Sequence, residues 1–140
     1  MSESTSTPVR RQGRARRRLL EAAARRFYAD GIAATGIDAI TADAGVAKMS
    51  LYNNFASKAD LVEAYLHERH AEWLGLFEAR AASGSGSRER ILAVFDAYID
   101  HARLAYDHGF RGCGLLNAAA ELPAGDHGRV IVRTHKEEVE

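Results

Sequence analysis

The stretch at residues 35–60, TGIDAITADAGVAKMSLYNNFASKAD, decides the fold of this chain. In its first part, apolar residues recur at the spacing of one helical face, at Ile37, Ile40 and Ala44. Gly45 follows at once, where a helix commonly ends in a residue with positive φ. Residues 48–54 predict a second short helix, with Leu51 on its inner side. The stretch therefore predicts two short helices joined by a glycine turn.

Two spacings predict where neighbouring helices begin. Thr35 precedes Asp38 by three positions, and Ser57 precedes Asp60 by three positions, as in a capping box. We therefore expect Thr35 to cap the first short helix and Ser57 to cap the helix that follows the second. Two short helices around a glycine turn are typical of a helix-turn-helix, whose second helix can enter the major groove of DNA.

The order of residues in this stretch is more specific than its helical pattern. The strings ITADAGV at 40–46, LYNNF at 51–55 and SKADL at 57–61 resemble the DNA-binding domain of the TetR family of transcriptional regulators. The upstream string AAARRF at 22–27 fits the same pattern. The resemblance implies a DNA-binding regulator that is not an enzyme. It also implies a homodimer on a near-palindromic operator and a small-molecule effector that releases the DNA.

Composition and periodicity predict an all-α chain in three parts. Residues 1–13, with many Ser, Thr and Arg, predict a disordered basic arm. Residues 14–56 predict a three-helix DNA-binding domain of the helix-turn-helix type. Residues 57–140 predict a helical effector-binding and dimerisation domain, joined to the first by a long helix. TetR-like proteins usually have two further helices that form most of the dimer interface, so we expect this domain to be incomplete.

The charge distribution agrees with a nucleic-acid partner. The 140 residues have a formal net charge of zero, with 19 basic and 19 acidic residues. Residues 1–60 contain ten Lys or Arg and six Asp or Glu, which is net +4, so residues 61–140 are net −4. Such asymmetry suits a basic half that meets phosphates. A single cysteine and the lack of any signal-peptide or membrane-spanning pattern predict a cytoplasmic protein.

The predicted DNA contacts lie on and beside the second short helix. Its start should face base edges and its flanks should face phosphates. Lys48 can reach a guanine edge or a phosphate, Ser50 suits any base, and Met49 can contact a thymine methyl group. The resemblance adds phosphate contacts at Thr35, Tyr52, Asn53 and Lys58. Ala47 also lies in this segment, but it cannot cap the helix as the serine common in the family does, at a cost of about 1 kcal/mol.

The second half should contain an effector pocket, because ligand sites are mostly apolar with a few placed polar groups. The candidate lining residues are Tyr65, Trp73, Phe77, Phe95, Tyr98, Ile99, Tyr106, Phe110, Cys113 and Asn117. Each of them is also compatible with an ordinary helical core, and the ligand is not identified by sequence. His67 and His70 are three positions apart, with Glu63 four before His67, and this spacing could hold a metal ion. An exposed polar side of the helix also explains them, and the family resemblance implies no metal, so we expect no metal or other cofactor.

Three alternatives remain open at this stage. Cys113 lies in the string RGCG at a predicted helix start, a position that favours the reactive thiolate, and it could sense oxidants or electrophiles. A small helical enzyme could use His101, Glu121 or Cys113, although no spacing supports a catalytic arrangement. The third alternative is a helical module that binds protein and not DNA. It predicts that replacing Lys48 or Tyr52 by alanine leaves function unchanged.

Overall fold

The computed structural model describes residues 8–84, 86–104 and 109–140. Every regular element in these ranges is an α-helix, which confirms the predicted all-α class. The helices are α1 (Pro8–Asp30), α2 (Ile37–Ala44), α3 (Lys48–Asn54), α4 (Lys58–Ala81), α5 (Ser87–Arg103), α6 (Gly114–Glu121) and α7 (His127–Val139). Among the described residues, no helix combines the length and apolar character needed to cross a membrane.

Helix α1 begins earlier than predicted. It starts at Pro8, so residues 8–13, which were expected to belong to a disordered arm, are helical. Proline is well suited to the first position of a helix, because its missing N–H has no intrahelical partner there, and arginine is a good helix former. The buried side of α1 includes Leu20, Ala23 and Phe27, which recur at the spacing of one helical face.

The turn between α2 and α3 follows the predicted glycine. Gly45 has φ 66° and ψ 35°, in the left-handed region. Its N–H donates to the carbonyl of Ala42, at 3.2 Å, and the N–H of Val46 donates to that of Thr41, also at 3.2 Å. These two bonds are the Schellman arrangement, which satisfies carbonyls that the end of the helix leaves free. A side chain at Gly45 would strain this turn.

One of the two predicted N-caps forms. The Oγ of Ser57 accepts a hydrogen bond from the N–H of Asp60 at 3.2 Å, at the start of α4. Thr35 does not cap α2, whose N-cap residue is Gly36 without a side-chain hydrogen bond. The hydroxyl of Thr35 donates instead to the carbonyl of Gly31 at 2.7 Å and is buried. A threonine hydroxyl can bond a carbonyl four residues back as readily as an amide ahead of it.

The chain forms two compact units, the first ending at Ala64 and the second beginning at Tyr65. The division lies within α4, whereas the predicted second domain starts at residue 57, next to the start of this helix. In unit 1, α1, α2 and α3 pack together around Leu19, Ile40 and Leu51, which have no exposed surface. Burying a leucine or isoleucine contributes about 1.5–3 kcal/mol, so this core holds α3 firmly.

Unit 2 contains the rest of α4 with α5, α6 and α7. Its buried residues include Tyr65, Leu66, Trp73, Ala93, Ala97, Leu115, Ala118, Ile131, Val132 and His135. A planar ion pair joins α4 to α5, since Nε and Nη2 of Arg80 each donate to a carboxylate oxygen of Asp100 at 2.7 Å. This hydrogen-bonded guanidinium lowers the pKa of Asp100. Two parallel bonds fix the alignment of the helices more tightly than a single contact would.

Candidate nucleic-acid interface and effector region

Helix α3 has one buried side and one exposed side. Leu51 is 0% exposed, and Phe55, the residue that ends the helix, is 4% exposed. The guanidinium of Arg16 lies over the ring of Phe55, with Cζ at 4.6 Å from the ring centroid. On the other side, Met49 is 76% exposed and Tyr52 is 47% exposed. An exposed methionine and tyrosine on a helix this well anchored are available to a partner.

The remaining α3 residues in the predicted contact set differ in accessibility. Ala47, Lys48 and Asn53 are exposed, whereas Ser50 is half-buried. Ala47 is the N-cap residue and provides no side-chain hydrogen bond to the helix start, as expected for alanine. The carbonyl of Ser50 accepts from Nδ2 of Asn54 at 2.8 Å, one turn later.

Asp38 is a neighbour of Lys48 that sequence reasoning missed. The Nζ of Lys48 lies 3.2 Å from Oδ1 of Asp38, and the two side chains are 59% and 84% exposed. An exposed pair of this kind contributes about 0–1 kcal/mol, so a phosphate or a base edge can replace the carboxylate. The two residues lie ten positions apart and meet only after α2 and α3 pack, so no local pattern indicates the pair.

The predicted phosphate contacts outside α3 are placed differently from expectation. Thr35 is only 2% exposed. Its hydroxyl donates to the carbonyl of Gly31, and its N–H donates to the carbonyl of Ile32 at 3.2 Å. Both donors are therefore occupied and neither is available to a phosphate. Thr35 therefore stabilises the loop before α2. The Nζ of Lys58 donates to the carbonyl of Ile32 at 2.7 Å. Because an ammonium group has three N–H donors, Lys58 keeps the capacity to contact a phosphate as well.

An ion pair fixes α1 against α2. Nε and Nη2 of Arg26 donate to the two carboxylate oxygens of Asp43, at 2.5 Å and 3.0 Å. The hydrogen bonds from Arg26 lower the pKa of Asp43, and the charge of Arg26 acts in the same direction. The bidentate geometry restricts rotation of α2 about its own axis, and thereby the position of the turn that carries α3.

The predicted effector residues fall into separate groups. Trp73, Phe77 and Tyr98 form an aromatic cluster, in which Trp73 stacks on Phe77 with centroids 5.6 Å apart and lies 5.4 Å from Tyr98. Tyr65 is buried, with the guanidinium of Arg69 over its ring at 5.7 Å. Trp73, Phe77 and Tyr98 thus bring α4 and α5 into contact through aromatic side chains.

The other predicted lining residues in unit 2 differ in exposure. Phe95 and Ile99 are 63% and 46% exposed, because α5 turns its small residues inward instead. Phe110, which lies beyond α5, is 56% exposed. Asn117 donates from Nδ2 to the carbonyl of Arg111 at 2.8 Å, and Cys113, the N-cap residue of α6, is half-buried. Tyr106 lies outside the described residues.

A surface hollow of about 460 Å³ lies along α6 and α7. Its lining residues are Leu116, Ala119, Ala124, Gly125, Asp126, Arg129, Val130, Val132 and Arg133. This set shares no member with the predicted effector residues. Its two arginines and apolar floor follow the outer side of α7, which the sequence pattern did not single out as a site.

A histidine pair, with His135 buried and His70 half-buried, is the second feature that sequence reasoning missed. Nδ1 of His70, on α4, lies 2.6 Å from Nδ1 of His135, on α7, and Nε2 of His70 lies 3.2 Å from Oε2 of Glu138. If His70 donates to Glu138, then His135 must donate to His70, because each neutral imidazole has one N–H. Burial, and then the charges of Lys136 and His70, lower the pKa of His135 to about 4. The residues described contain no group of three side chains placed to hold a metal ion.

These observations define a class of protein. A compact three-helix unit that holds a short helix by its apolar side, after a left-handed glycine turn, is a helix-turn-helix domain. Residues 19–65 match the family described as bacterial regulatory proteins, tetR family.

Solved structures extend the likeness beyond this domain. A TetR-family transcriptional regulator from Streptomyces coelicolor is 39% identical with a TM-score of 0.81, over 91% of this chain and 66% of that one. A TetR transcriptional regulator from Streptomyces avermitilis is 36% identical with a TM-score of 0.73, over 89% of this chain and 67% of that one. A TetR transcriptional regulator from Chloroflexus aurantiacus is 28% identical with a TM-score of 0.79, over 92% of this chain and 65% of that one.

The chain belongs to the TetR family of transcriptional regulators. It spans about two thirds of the length of the solved relatives that it matches. The resemblance noted in the sequence is therefore confirmed, and a family of regulatory proteins agrees with the expectation that the chain is not an enzyme.

Proposed function

We propose that this chain is a DNA-binding transcriptional repressor that responds to a small molecule. Helix α3 enters the major groove of double-stranded DNA and reads base edges with Lys48, Met49 and Ser50. Tyr52 and Asn53 contact phosphates on its flank, and Lys58 contributes a further phosphate contact. Two copies of the chain bind the two halves of a near-palindromic operator, because a two-fold protein matches a two-fold site.

The observation that carries this proposal is the two-sided character of α3. Leu51 and Phe55 anchor its inner side, while Lys48, Met49 and Tyr52 on the outer side are solvent-exposed. Two large apolar side chains on this one short helix are exposed, Met49 at 76% and Tyr52 at 47%, and apolar surface left in solvent can mark a contact with a partner. A contact with a thymine methyl group gives Met49 a function.

A small effector is proposed to bind unit 2 near the aromatic cluster of Trp73, Phe77 and Tyr98. A ligand can release DNA only if it binds the released state more tightly than the DNA-bound state. Trp73 is the single tryptophan of the chain, so its fluorescence reports binding near this cluster without any label. Compounds that change the emission should also lower the affinity for DNA.

The test is selection of duplexes from a randomised pool, followed by gel-shift titration of the selected sequence. We expect a near-palindromic sequence to be enriched, and Lys48→Ala and Tyr52→Ala to weaken its binding by at least about tenfold each. Arg88→Ala, an exposed change on α5, is the matched control and should bind like the wild type. If no sequence is enriched, or if the α3 variants bind like the control, the proposal is wrong.

The thiol-sensing alternative receives no support from these findings. Nζ of Lys136 lies 3.8 Å from Sγ of Cys113, which is a weak contact that a buried structural cysteine can also make. No second cysteine exists in the chain for an intramolecular disulfide.

A further inference from the structure

The N-terminal part of α1 is a helix of unusual charge. Residues 10–18, RRQGRARRR, contain six arginines and no acidic residue, and Ala15 is their one apolar side chain. Arg10, Arg14 and Arg18 are exposed, and they form no ion pair with any of the described residues. Like charges four positions apart on a helix, as at Arg10, Arg14 and Arg18, repel one another, so this composition destabilises the free protein unless an anion compensates it.

Some of these arginines lie on one side of the helix, beside an open hollow. A surface hollow of about 690 Å³ is lined by Arg10, Gly13, Arg14, Arg17 and Arg18. Gly13 has nothing within 4 Å of the position that a Cβ would occupy, so its lack of a side chain leaves open space between the arginines. A glycine in a helix interior costs about 0.5–1 kcal/mol relative to alanine, and here it provides room for a phosphate-sized group to approach the backbone.

The position of this basic segment follows from a contact within unit 1. Arg16 lies over the ring of Phe55, the residue that ends α3, so α1 passes the C-terminal end of α3 at this point. At a rise of 1.5 Å per residue, residues 8–15 extend about 12 Å further along the axis of α1. They also precede residue 19, where the match to the family begins.

We propose that residues 10–18 of α1 form a second DNA-contact surface, which binds the phosphate backbone of the same duplex whose bases α3 reads. This inference rests on the proposed function of α3. Arginine is the side chain best suited to phosphate oxygens, through paired N–H donors. The contact is independent of sequence and adds affinity, because each neutralised phosphate releases condensed counterions.

A lipid surface is the other polyanion that a basic helix could bind, and the composition argues against it. Helices that lie in a membrane interface have a wide apolar side opposite the basic one. Residues 10–18 have one alanine and no larger apolar residue, so they offer nothing to the acyl boundary. A phosphate backbone requires no such apolar side.

The first experiment measures how DNA affinity depends on salt. The duplex selected by the wild-type chain and a random duplex of equal length are titrated at several salt concentrations. Each phosphate contact contributes about 0.9 to the slope of log K against log salt concentration. The variant R10Q/R14Q/R18Q should therefore lose about 2–3 from the slope on both duplexes, with an unchanged preference for the selected one.

Two matched variants make the result specific. R88Q/R103Q/R129Q removes the same charge from exposed positions of unit 2 and should keep the wild-type slope. R10K/R14K/R18K keeps the charge and should retain most of the slope. If R10Q/R14Q/R18Q keeps the wild-type slope, or changes it no more than the unit 2 variant does, this proposal is overturned while the proposed function stands. If the wild type binds no duplex at low salt, both are overturned.

The second experiment asks whether the segment must be helical. Gly13→Ala fits the open space and strengthens the helix, whereas Gly13→Pro interrupts it before residue 14. We expect Gly13→Ala to keep the slope and Gly13→Pro to reduce it by at least 1. An unchanged slope in Gly13→Pro overturns the helical form of the contact. A last comparison uses vesicles of anionic lipid. If the wild type sediments with the vesicles and R10Q/R14Q/R18Q does not, while both bind DNA alike, the choice of DNA as partner is overturned.

Discussion

Unit 1 and unit 2 differ in which side chains they leave in solvent. Among the described residues of unit 1, the exposed large apolar side chains are Met49 and Tyr52, both on α3. Unit 2 exposes many more, and five of them lie on α5, namely Ile91, Leu92, Phe95, Tyr98 and Ile99. The buried residues of α5 are Ala93 and Ala97. In unit 1 the apolar pattern therefore coincides with the core, and on α5 it does not.

The comparison teaches what helical periodicity can predict. A repeat of apolar residues predicts that a segment is helical, but it does not say which side of the helix is covered. Small residues let two helices approach closely, so a side that carries alanines can be the packed one even when larger residues stand opposite. Five large apolar side chains exposed on one helix, as on α5, are typical of a surface that contacts another segment or molecule.

The largest expected effect comes from replacing one leucine by alanine in each of the two units. Leu51→Ala should lower the free energy of unfolding of unit 1 by about 2–5 kcal/mol, because Leu51 is 0% exposed and its loss leaves a cavity. Leu92→Ala should change the stability of unit 2 by less than about 1 kcal/mol, since Leu92 is 50% exposed. Urea unfolding followed by circular dichroism measures both. Equal losses would contradict the difference between the units.

Acid should destabilise unit 2 through His135. An unfolded histidine binds its proton near pH 6.5, whereas the pKa of folded His135 is about 4. Between these values the unfolded chain binds more protons, so stability falls as the pH decreases from 6.5 towards 4. From pH 7.5 to pH 5 the expected loss is about 2 kcal/mol. Trp73, which packs edge-on against His135 at 5.7 Å, reports the unfolding of unit 2 by fluorescence.

Variants of two histidines check the origin of this pH dependence. His135→Gln should remove most of the difference in stability between pH 7.5 and pH 5, whatever its effect at neutral pH. His67→Gln changes an exposed histidine on α4 and should leave the pH dependence intact. A His135→Gln variant that keeps the full pH dependence would show that another group is responsible.

A smaller effect is expected at the start of α3 in unit 1. Ala47 occupies the N-cap position without a side-chain hydrogen bond. Ala47→Ser should stabilise unit 1 by about 1 kcal/mol, because its hydroxyl oxygen can accept from an amide of the first turn. Thermal unfolding of the variant and the wild type measures the gain, and Ala47→Asp serves as a second capping residue. If neither substitution raises the melting temperature, the first turn of α3 does not limit stability.

The sequence predicted local features well and long-range contacts poorly. The two short helices, the left-handed Gly45 and the cap at Ser57 depend on residues that are close in the chain, and all were predicted. The N-cap at Thr35 was predicted wrongly, because its hydroxyl has a second local partner and donates to the carbonyl of Gly31.

The pairs that sequence reasoning missed join distant residues. His70 and His135 are 65 positions apart, and Lys48 meets Asp38 only across the helix-turn-helix. Neither separation leaves a periodic signal, because the contacts are set by tertiary packing. The predicted DNA contacts on α3 remain predictions, since they depend on a partner and not on the fold of the chain alone.

The smallest expected effect concerns the pairing of Asp38 with Lys48. Asp38→Asn removes a negative charge that lies 3.2 Å from the ammonium of Lys48, and the ion pair is too exposed to change stability by more than about 0.5 kcal/mol. Because DNA no longer competes with a carboxylate for Lys48, affinity for duplex DNA should rise by about two- to fivefold at low salt and less at high salt. Asp30→Asn removes the same charge beside Arg26 in unit 1 and controls for net charge. Equal gains in the two variants, measured by gel shift, would mean that Asp38 acts only through the overall field and that Lys48 does not contact the DNA.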